Sequence, residues 1–561
     1  MISFGKNTPS QPSKSAHDGV RHMTDHPVNE PVLGYAPGSA ERTTLQTELD
    51  RQMNEVVEIP CIINGEKVFT GNTTTQVIPH NHGHVLANVH LAGKAEIAAA
   101  CDAAVAAQQS WIDLGLEARC QIFEKCAELL AGDWRMKVNA STMLNQSKTC
   151  YQAEIDSACE LIDFWNFNAH YARGFHDLYQ PLVSPQGVKN STEIRPLEGF
   201  VLAITPFNFS SIAANLPSAP AVVGNTAVWK PSRNSVHSNY VLMELMMEAG
   251  LPAGVINFVP SSGPDISEVC LPNPNFAGVH FTGSTATFQW LWQKIGEHLP
   301  NLKSYPRIVG ETGGKDFVVA HPECDEQGLL VALLRGSFEY QGQKCSAASR
   351  AYIPKSVWAR MGQSLIDEVG KITMGDTRDF TNFMTAVIDQ RSFDNITGYI
   401  ERAEANPACE TVVGGGSDDS VGWFIEPTII ISSDPHSETM VEEIFGPVLT
   451  VYLYDDDQFE ETLTLCDISS PYALTGSIFA SNDEDVQTAF NALRFTAGNF
   501  YINDKPTGAA VAQQPFGGAR ASGTNDKAGS PLNLLRWISP RSVKHTFETD
   551  QTWDYPFMGE E

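Results

Sequence analysis

Cys345 lies in the segment of this sequence whose residue types are best suited to nucleophilic chemistry. Gly342 and Gln343 break a helical pattern just before it, and small residues follow. A cysteine at such a loop-to-helix junction can have its thiolate stabilised by backbone amide dipoles, and the thiolate is a strong nucleophile. Because a single cysteine is more often a buried packing residue, the assignment depends on partner groups elsewhere in the chain.

Two further segments offer such partner groups. Glu311 is followed by Gly313 and Gly314, so its backbone can turn sharply and admit a ligand, and its carboxylate could act as a general base toward water. Asn208 follows a buried apolar run that ends at Pro206, so its amide could reach the ligand site at a strand's carboxyl end and hold an oxyanion. The alternatives are a surface glutamate beside a turn and an Asx-type turn after the strand.

Two other strand ends could hold a cofactor. Lys230 could donate hydrogen bonds to ribose hydroxyls, or it could be an ordinary solvated lysine, and Ser232 follows it. Gly283 and Ser284 join a strand to a helix N-terminus, where backbone amides bind phosphate groups. The sequence here has no G-x-G-x-x-G, so an ordinary dinucleotide fingerprint is not claimed.

The elements that would position these residues follow an α/β pattern, since short apolar runs alternate with longer amphipathic stretches. Four apolar runs predict buried strands at 199–206, 227–231, 254–260 and 277–282. Helices are predicted at 95–108, 120–130 and 154–171, with another near 45–56. Four strands in so short a stretch, each followed by helical or turn material, predict a doubly wound sheet. A second α/β unit is predicted from about 310 to 506.

Composition limits the classes of function. The chain has 561 residues, so several domains are expected. Its net charge of −29 disfavours binding to nucleic acid or to an anionic membrane surface. No apolar run approaches the ~20 residues of a membrane span. The eleven cysteines include no C-x-x-C pair, which predicts a reducing compartment and no metal site. The first 55 residues lack a secretory signal and contain acidic residues, so a cytoplasmic location is expected, or the mitochondrial matrix in a eukaryote.

The five segments that carry Asn208, Lys230, Gly283, Glu311 and Cys345, in this order along the chain, resemble the aldehyde dehydrogenase superfamily, and the similarity covers about 60–547. Residues 442–447 also look like the superfamily's nicotinamide-ribose segment, which puts Glu443 on the ribose and Phe445 against the nicotinamide. The resemblance implies two doubly wound parallel-sheet domains plus a small β oligomerisation element. It divides the chain into an N-terminal arm (1–55), an NAD-binding domain (56–309) with an oligomerisation hairpin (182–198), a catalytic domain (310–506), a return segment lining the active site (507–529) and an oligomerisation tail (530–561).

The resemblance also implies a mechanism. The Cys345 thiolate adds to an aldehyde, and the Asn208 amide and the Cys345 N–H hold the oxyanion. After hydride transfer to the nicotinamide, Glu311 activates the water that hydrolyses the thioester. Because members that form acyl-CoA or reduce acyl phosphates do not use such a glutamate, Glu311 favours a free carboxylic acid as the product.

Residues 502–526 resemble the Δ1-pyrroline-5-carboxylate dehydrogenase branch of the superfamily, which oxidises L-glutamate γ-semialdehyde to L-glutamate with NAD in proline catabolism. The corresponding substrate contacts are a carboxylate nest at Ser346, Gly508 and Ala509, aromatic walls at Phe209 and Phe516, and Glu160 for the ammonium group. Some members have a hydroxyl residue where Ala509 stands, in which case the main-chain amides must suffice.

Several alternatives stay open from the sequence. The small Ser232 could tolerate a 2′-phosphate, so some use of NADP is possible, although the branch favours NAD. The substrate could be another semialdehyde, such as succinate semialdehyde, or the protein could be a catalytically silent relative. A homodimer or higher oligomer is expected. Since no stretch is spare for a barrel of about 250 residues, coupling to a proline dehydrogenase would involve a separate protein.

Overall fold

The computed structural model describes residues 26–559, except for the side chains of 176–178. The N-terminal half is built on a seven-stranded sheet, in which the first five strands, counted from one edge, run parallel. The last two strands join antiparallel. In sheet order the strands are Arg307–Glu311, Phe276–Thr282, Phe200–Ile204, Thr226–Lys230, Ile256–Phe258, Cys61–Ile63 and Glu66–Val68. All four strands predicted from the apolar runs are therefore confirmed.

Residues from about 316 to 502 form a second seven-stranded sheet. Six of its strands run parallel, and an antiparallel strand closes one edge. In sheet order the strands are Cys409–Val413, Thr428–Ser432, Val448–Tyr454, Ala348–Pro354, Asp316–Ala320, Thr475–Phe479 and Asn499–Ile502.

Both sheets are covered on both faces, as the alternation of buried side chains along their strands shows. Val201 and Ala203 belong to one hydrophobic core and Leu202 to another, on the opposite face of the first sheet. Val318 and Val319 divide in the same way between two cores of the second sheet. Since successive strand residues point to opposite faces, each sheet separates two helical layers. The predicted fold class, two doubly wound and mostly parallel sheets, is thereby confirmed.

The helices that cover these sheets include the three predicted in the first half, with longer bounds. The α-helices are Ala40–Met53, Lys94–Asp113, Leu116–Ala131, Arg135–Gln146, Cys150–Ala153, Glu160–Leu178, Ser210–Val222, Val236–Glu248, Gly263–Cys270, Thr285–His298, Glu326–Phe338, Lys355–Val369, Gln390–Glu404, Glu438–Val441, Phe459–Ile468, Asp483–Ala492 and Pro531–Leu535. A π-helical turn, Glu154–Cys159, leads into the helix that was predicted at 154–171. The short 3₁₀ segments are Leu299–Asn301, Glu339–Gly342 and Pro556–Met558.

The smaller β elements correct one prediction. Residues 182–198 do not form a hairpin of their own, because their single strand, Val188–Glu193, pairs antiparallel with Arg541–Thr546 from the C-terminal tail. A three-stranded sheet contains Val57–Ile59, Asn81–His90 and Thr73–Ile78. Two more strand pairs join Ser417–Asp418 to Phe424–Ile425 and Tyr472–Ala473 to Ala519–Arg520. The predicted small β element is thus present, made from two distant segments.

The described part of the N-terminal arm is packed against the first domain. Its helix begins at Ala40, earlier than predicted, because the Ser39 hydroxyl caps it by accepting from the Arg42 N–H. Leu45 and Leu49 on this helix are fully buried. Residues 26–55 of the arm are therefore held by packing, and residues 1–25 lie outside the described part of the chain.

The first sheet explains why the predicted site residues can meet. Asn208, Lys230, Gly283 and Glu311 all lie at or just beyond the carboxyl ends of its parallel strands, which share one edge of the sheet. The strand that ends at Glu311 crosses the predicted domain boundary at 309/310, and the division into domains stays a prediction. Within residues 26–559, no helix combines the length and apolar character needed to span a bilayer.

Candidate active site

Cys345 lies in a tight turn between a 3₁₀ segment and the strand Ala348–Pro354. The expected helix after it is absent, because the chain enters this strand instead. Tyr340, Gln341 and Gly342 have positive φ angles of 53°, 55° and 65°, which reverses the chain after the helix Glu326–Phe338. Glycine is required at 342, since a Cβ there would collide with the Gly446 carbonyl oxygen.

A cavity of about 320 Å³ opens at Cys345. It is of the size that small-molecule sites have, roughly 300 Å³ or more. Its lining includes every predicted substrate residue, namely Phe209, Ser346, Gly508, Ala509, Phe516 and Glu160. The structure therefore brings these residues together with the thiol, although they come from four separate parts of the chain.

The Asn208 amide is fixed beside the cysteine turn. The side chain is buried, and its Nδ2 donates a hydrogen bond of 3.1 Å to the carbonyl oxygen of Gln343, two residues before Cys345. The helix Ser210–Val222 begins immediately afterwards, with Phe209 as its N-cap, so the backbone on this side is rigid. A primary amide carries two N–H groups, and the second can serve an oxygen bound at the cysteine.

Glu311 ends the strand Arg307–Glu311 and lines a smaller cavity of about 30 Å³. This cavity shares Glu160 and Phe516 with the cavity at Cys345. Burial raises the pKa of Glu311 to about 8, against the attraction of the Lys527 ammonium. A carboxylate whose pKa lies near neutrality is a stronger base than an ordinary glutamate and can take a proton from water.

The same buried surroundings raise the pKa of the Cys345 thiol well above its usual value. Burial is the largest cause, followed by repulsion from the Glu311, Asp316 and Glu443 carboxylates. The helix whose amides were expected to stabilise the thiolate does not follow the cysteine, and the Cys345 N–H, which lowers the pKa, is outweighed by burial and by the negative charges. The thiol needs a base to receive its proton, and Glu311 is the nearby group whose pKa suits that role.

Lys230 lines a groove of about 830 Å³ between the helices Gly263–Cys270 and Thr285–His298. Burial, with a smaller contribution from Arg233, lowers the pKa of Lys230 to about 8. The groove has the size of a cofactor site, and a lysine at its floor can donate to hydroxyl groups. Ser232 does not contribute to the groove as described, and its hydroxyl instead accepts from the Asn234 N–H at 3.4 Å.

Gly283 and Ser284 connect this groove to the general base. Ser284 caps the helix Thr285–His298, accepting from the Thr287 N–H, and Ala286 and Thr287 of the first turn line the groove. The Gly283 N–H donates to the Glu311 carbonyl at 3.2 Å. Gly283 and Ser284, where a phosphate site is predicted, thus follow the strand Phe276–Thr282, which pairs with the strand that ends at Glu311.

Glu443 and Phe445 come from the second sheet's side of the cleft. Glu443 Oε1 accepts the Gly314 N–H at 2.9 Å, and a Cβ at Gly313 would collide with the other carboxylate oxygen. Burial raises the pKa of Glu443 to about 7. Phe445 has a φ of 59°, which turns its ring to within 5.8 Å of the Phe207 ring centroid. Glu443 thus contacts the segment that follows Glu311, and Phe445 contacts the segment that carries Asn208.

Sequence reasoning missed several polar residues of the site. Thr507 lies in the cavity lining, and its hydroxyl is 2.8 Å from the Ser346 hydroxyl. Lys148 is buried and pairs with Asp156 at 2.8 Å, and Lys344 lies 3.7 Å from the same carboxylate. The only signal available for this cluster was the helical spacing of 156, 160 and 163, which puts three acidic side chains on one face of a helix.

Glu160 is less suited to an ammonium group than its position implies. It accepts the Ser211 hydroxyl at 2.5 Å, and burial together with Asp156 raises its pKa to about 8. Near neutral pH the carboxyl is therefore mostly protonated. The position of Glu160 in the cavity agrees with the prediction, and its mostly neutral carboxyl group favours a hydrogen-bonding role.

Comparison with known proteins agrees with this geometry. The model of the aldehyde dehydrogenase family matches residues 69–543. The chain belongs to the aldehyde dehydrogenase family. The matched range includes every predicted catalytic and cofactor residue of this aldehyde dehydrogenase. This favours an active enzyme over a catalytically silent relative.

Individual relatives narrow the comparison. This aldehyde dehydrogenase is 51% identical over 534 residues to the mitochondrial Δ1-pyrroline-5-carboxylate dehydrogenase of Dictyostelium discoideum, which covers 95% of this chain and 96% of the relative. It is 46% identical to the mitochondrial human enzyme of that name, covering 95% and 94%. Its fold matches the crystal structure of the Mycobacterium tuberculosis Δ1-pyrroline-5-carboxylate dehydrogenase bound with NAD, with a TM-score of 0.92, 50% identity and coverage of 96% and 100%.

Proposed function

We propose that this aldehyde dehydrogenase oxidises L-glutamate γ-semialdehyde, the open form of Δ1-pyrroline-5-carboxylate, to L-glutamate with NAD, as a step of proline catabolism. The relatives named above support the proposal. The observation that carries it is the cavity, which has the Cys345 thiol and a polar anchor in one lining. The anchor combines the Ser346 and Thr507 hydroxyls with the backbone of Gly508 and Ala509.

The anchor suits a carboxylate. Gly508 has a φ of 93°, a conformation in which successive backbone N–H groups can converge on an anion. Ala509 follows it without a side-chain donor, so Ser346, steadied by Thr507, supplies the hydroxyl. Phe209 and Phe516 line the space between anchor and thiol, where the aliphatic middle of the substrate would lie. Succinate semialdehyde also ends in a carboxylate, but it has no ammonium group that could donate a hydrogen bond to Glu160.

The cofactor groove fits NAD. Its volume, Lys230 in its lining and the nearby helix start that Ser284 caps suit a molecule with ribose hydroxyls and a pyrophosphate. Glu443 and Phe445 would hold the nicotinamide ribose and ring. When bound, NAD accepts the hydride that converts the substrate adduct on Cys345 to a thioester. The use of NADP, whose 2′-phosphate the small Ser232 side chain could tolerate, stays a prediction.

The chain's residues divide the chemistry between them. Glu311 takes the thiol proton of Cys345, and the sulfur forms a bond to the aldehyde carbon while the carbonyl π electrons move to oxygen. The Asn208 amide and the Cys345 N–H donate to that oxygen. The excluded water and the fixed donors make this stabilisation stronger than it would be in solvent.

Hydrolysis uses Glu311 a second time, after its first proton has passed to solvent. The carboxylate takes a proton from water as the water oxygen attacks the thioester carbon, and the C–S bond breaks to return the Cys345 thiolate. The cavity at Glu311, about 30 Å³, is the volume of a single water molecule, so the nucleophile has a place beside its base.

The deciding experiment measures NAD reduction with chemically generated Δ1-pyrroline-5-carboxylate as the substrate. We expect turnover that saturates with substrate, strict dependence on Cys345 in a Cys345→Ala variant, and a kcat/KM well above that for succinate semialdehyde. A higher kcat/KM for succinate semialdehyde would refute the substrate assignment. Repeating the assay with NADP tests the cofactor assignment separately.

The C-terminal tail supports an oligomer. The strand pair Val188–Glu193 with Arg541–Thr546 is only two strands wide, and Trp553 and Phe557 beyond it are 82% and 83% exposed. Such edges and aromatic side chains are usually covered by another chain. We therefore propose a homodimer or higher oligomer, which sedimentation as a stable monomer at micromolar concentration would contradict. For a eukaryotic source the mitochondrial matrix is proposed, and coupling to a separate proline dehydrogenase stays a prediction.

A further inference from the structure

The N-terminal arm reaches the substrate cavity, which the sequence does not suggest. Asn29, Glu30 and Val32 line the cavity at Cys345 together with the residues of the carboxylate anchor. They are separated from Cys345 by more than half of the chain. The arm is therefore one wall of the site.

The Asn29 side chain bridges the arm to two other elements. Its Nδ2 donates to Asp163 Oδ2 at 2.8 Å on one helix and to the Val511 carbonyl at 2.9 Å. Its Oδ1 accepts the Gln513 side chain at 2.8 Å. Val511 and Gln513 belong to residues 507–516, here called the anchor loop, which also carries Thr507, Gly508 and Ala509. One arm residue thus makes two hydrogen bonds to the loop that would bind the substrate carboxylate.

The arm is itself firmly held. Arg135 donates to the Glu30 carboxylate and, at 2.8 Å, to the Pro31 carbonyl. The Leu33 N–H and the Tyr35 hydroxyl donate to the two oxygens of Glu154 at 2.9 Å and 2.7 Å. Glu154 is fully buried, and it also receives Arg135. These bonds make the arm a fixed support against which a loop can be positioned.

The anchor loop needs such support. Gly508 and Ala512 have φ angles of 93° and 65°, and the second is a conformation that a residue with a Cβ adopts only when its surroundings impose it. Val511 packs with Phe164 and Phe167 in a small hydrophobic cluster. Gln513 is exposed, and its side chain reaches back to Asn29. Packing and the arm's hydrogen bonds together define the loop's shape.

We propose that Asn29 is a positioning residue of the substrate site, which holds the anchor loop in the shape that binds the carboxylate of the substrate. The inference rests on the proposed function, because it assigns a substrate carboxylate to this loop. Asn29 acts on affinity for the acid end of the substrate, and the thiol chemistry at Cys345 proceeds independently of it.

The test compares Asn29→Ala with a matched control, Asn54→Ala, in the full-length enzyme. Asn54 is an exposed asparagine at the end of the arm helix, and its amide donates to the Asp50 carbonyl. We expect Asn29→Ala to raise the KM for glutamate semialdehyde about tenfold, the scale of one or two lost hydrogen bonds. The kcat for that substrate and both constants for propanal, which has no carboxylate, should change less than twofold. The control should match wild type throughout.

Two further measurements separate the possible failures. Gln513→Ala removes one of the hydrogen bonds between the arm and the anchor loop, and because the side chain is exposed the protein should still fold. This variant should raise the KM for glutamate semialdehyde severalfold. Its effect should be non-additive with that of Asn29→Ala, since both changes remove the same hydrogen bond. Additive effects, or an unchanged KM in Asn29→Ala, overturn the role of Asn29. An equal rise in KM for propanal also overturns it, since that indicates general loosening. Wild-type enzyme that turns over propanal but not glutamate semialdehyde refutes the proposed function instead.

Discussion

Replacing Glu311 with glutamine should slow both halves of the proposed reaction. The amide keeps the shape of the side chain and cannot accept a proton from the thiol or from water. Because the pKa of the Cys345 thiol is raised well above its usual value, we expect the first turnover to form NADH without a burst and to be followed by very slow turnover. Loss of a general base reduces a rate by roughly 10² to 10⁴, so steady-state kcat should fall by about that factor.

The pH dependence gives this prediction a magnitude. Burial raises the pKa of Glu311 to about 8, so only the ionised fraction can act as a base. That fraction is about 1% at pH 6, about 9% at pH 7 and about 91% at pH 9, by the titration of a single group. Wild-type thioester hydrolysis should therefore rise nearly tenfold per pH unit below pH 8 and level off above it. The residual hydrolysis of Glu311→Gln should lack this limb.

Stopped-flow absorbance of NADH measures the burst and the steady state in one experiment. Glu323→Gln, a change at an exposed glutamate outside the linings of the two cavities, is the control and should match wild type. The reasoning is refuted if Glu311→Gln keeps wild-type steady-state turnover, or if its hydrolysis has the wild-type pH profile. A burst approaching one equivalent per active site in Glu311→Gln would refute a different point, namely that the Cys345 thiol needs Glu311 to receive its proton.

Three other substitutions test separate parts of the structure. Asn208→Ala removes the donor held on the Gln343 carbonyl and should lower kcat by about 10² to 10³, measured in steady state, with KM for NAD unchanged. Arg135→Met leaves the fully buried Glu154 without its ion partner and should reduce the free energy of unfolding by roughly 3–5 kcal/mol. Urea denaturation measures this change, and an unchanged midpoint of urea unfolding would contradict the prediction. Lys230→Met should raise the KM for NAD with a smaller effect on the KM for the aldehyde, and equal effects on both would refute its place in the cofactor groove.

The fold was largely predictable from the sequence because its signals are local. A buried parallel strand requires a short continuous apolar run, and the runs at 199–206 and 277–282 could form little else. The residues just beyond such strands share one edge of the sheet, so Asn208, Lys230 and Gly283 could be assigned to one site before the structure was known. These inferences needed no information about side-chain packing.

The local setting of Cys345 was predicted wrongly for a physical reason. The small residues after it read as a continuing helix, whereas Tyr340 and Gln341 adopt positive φ and send the chain into a strand. Non-glycine residues in that conformation leave little signal in sequence, because tertiary contacts impose it. Thr507 and Asn29 were missed for a related reason, since their partners lie 161 and 482 residues away along the chain.

The two catalytic groups are linked through the burial that both experience. Asn208 and Glu311 come from the first sheet, and Cys345 lies in the turn before Ala348–Pro354, the central strand of the second sheet. Burial raises the pKa of Glu311 to about 8, which makes it a useful base, and it also raises the pKa of the thiol, which makes Cys345 a poor thiolate unaided. A neutral acid and a neutral thiol are the stable pair in this cleft. Because a charged Glu311 and a thiolate repel each other, the thiol proton must pass to Glu311 as the sulfur attacks, and hydrolysis must follow after Glu311 has lost that proton.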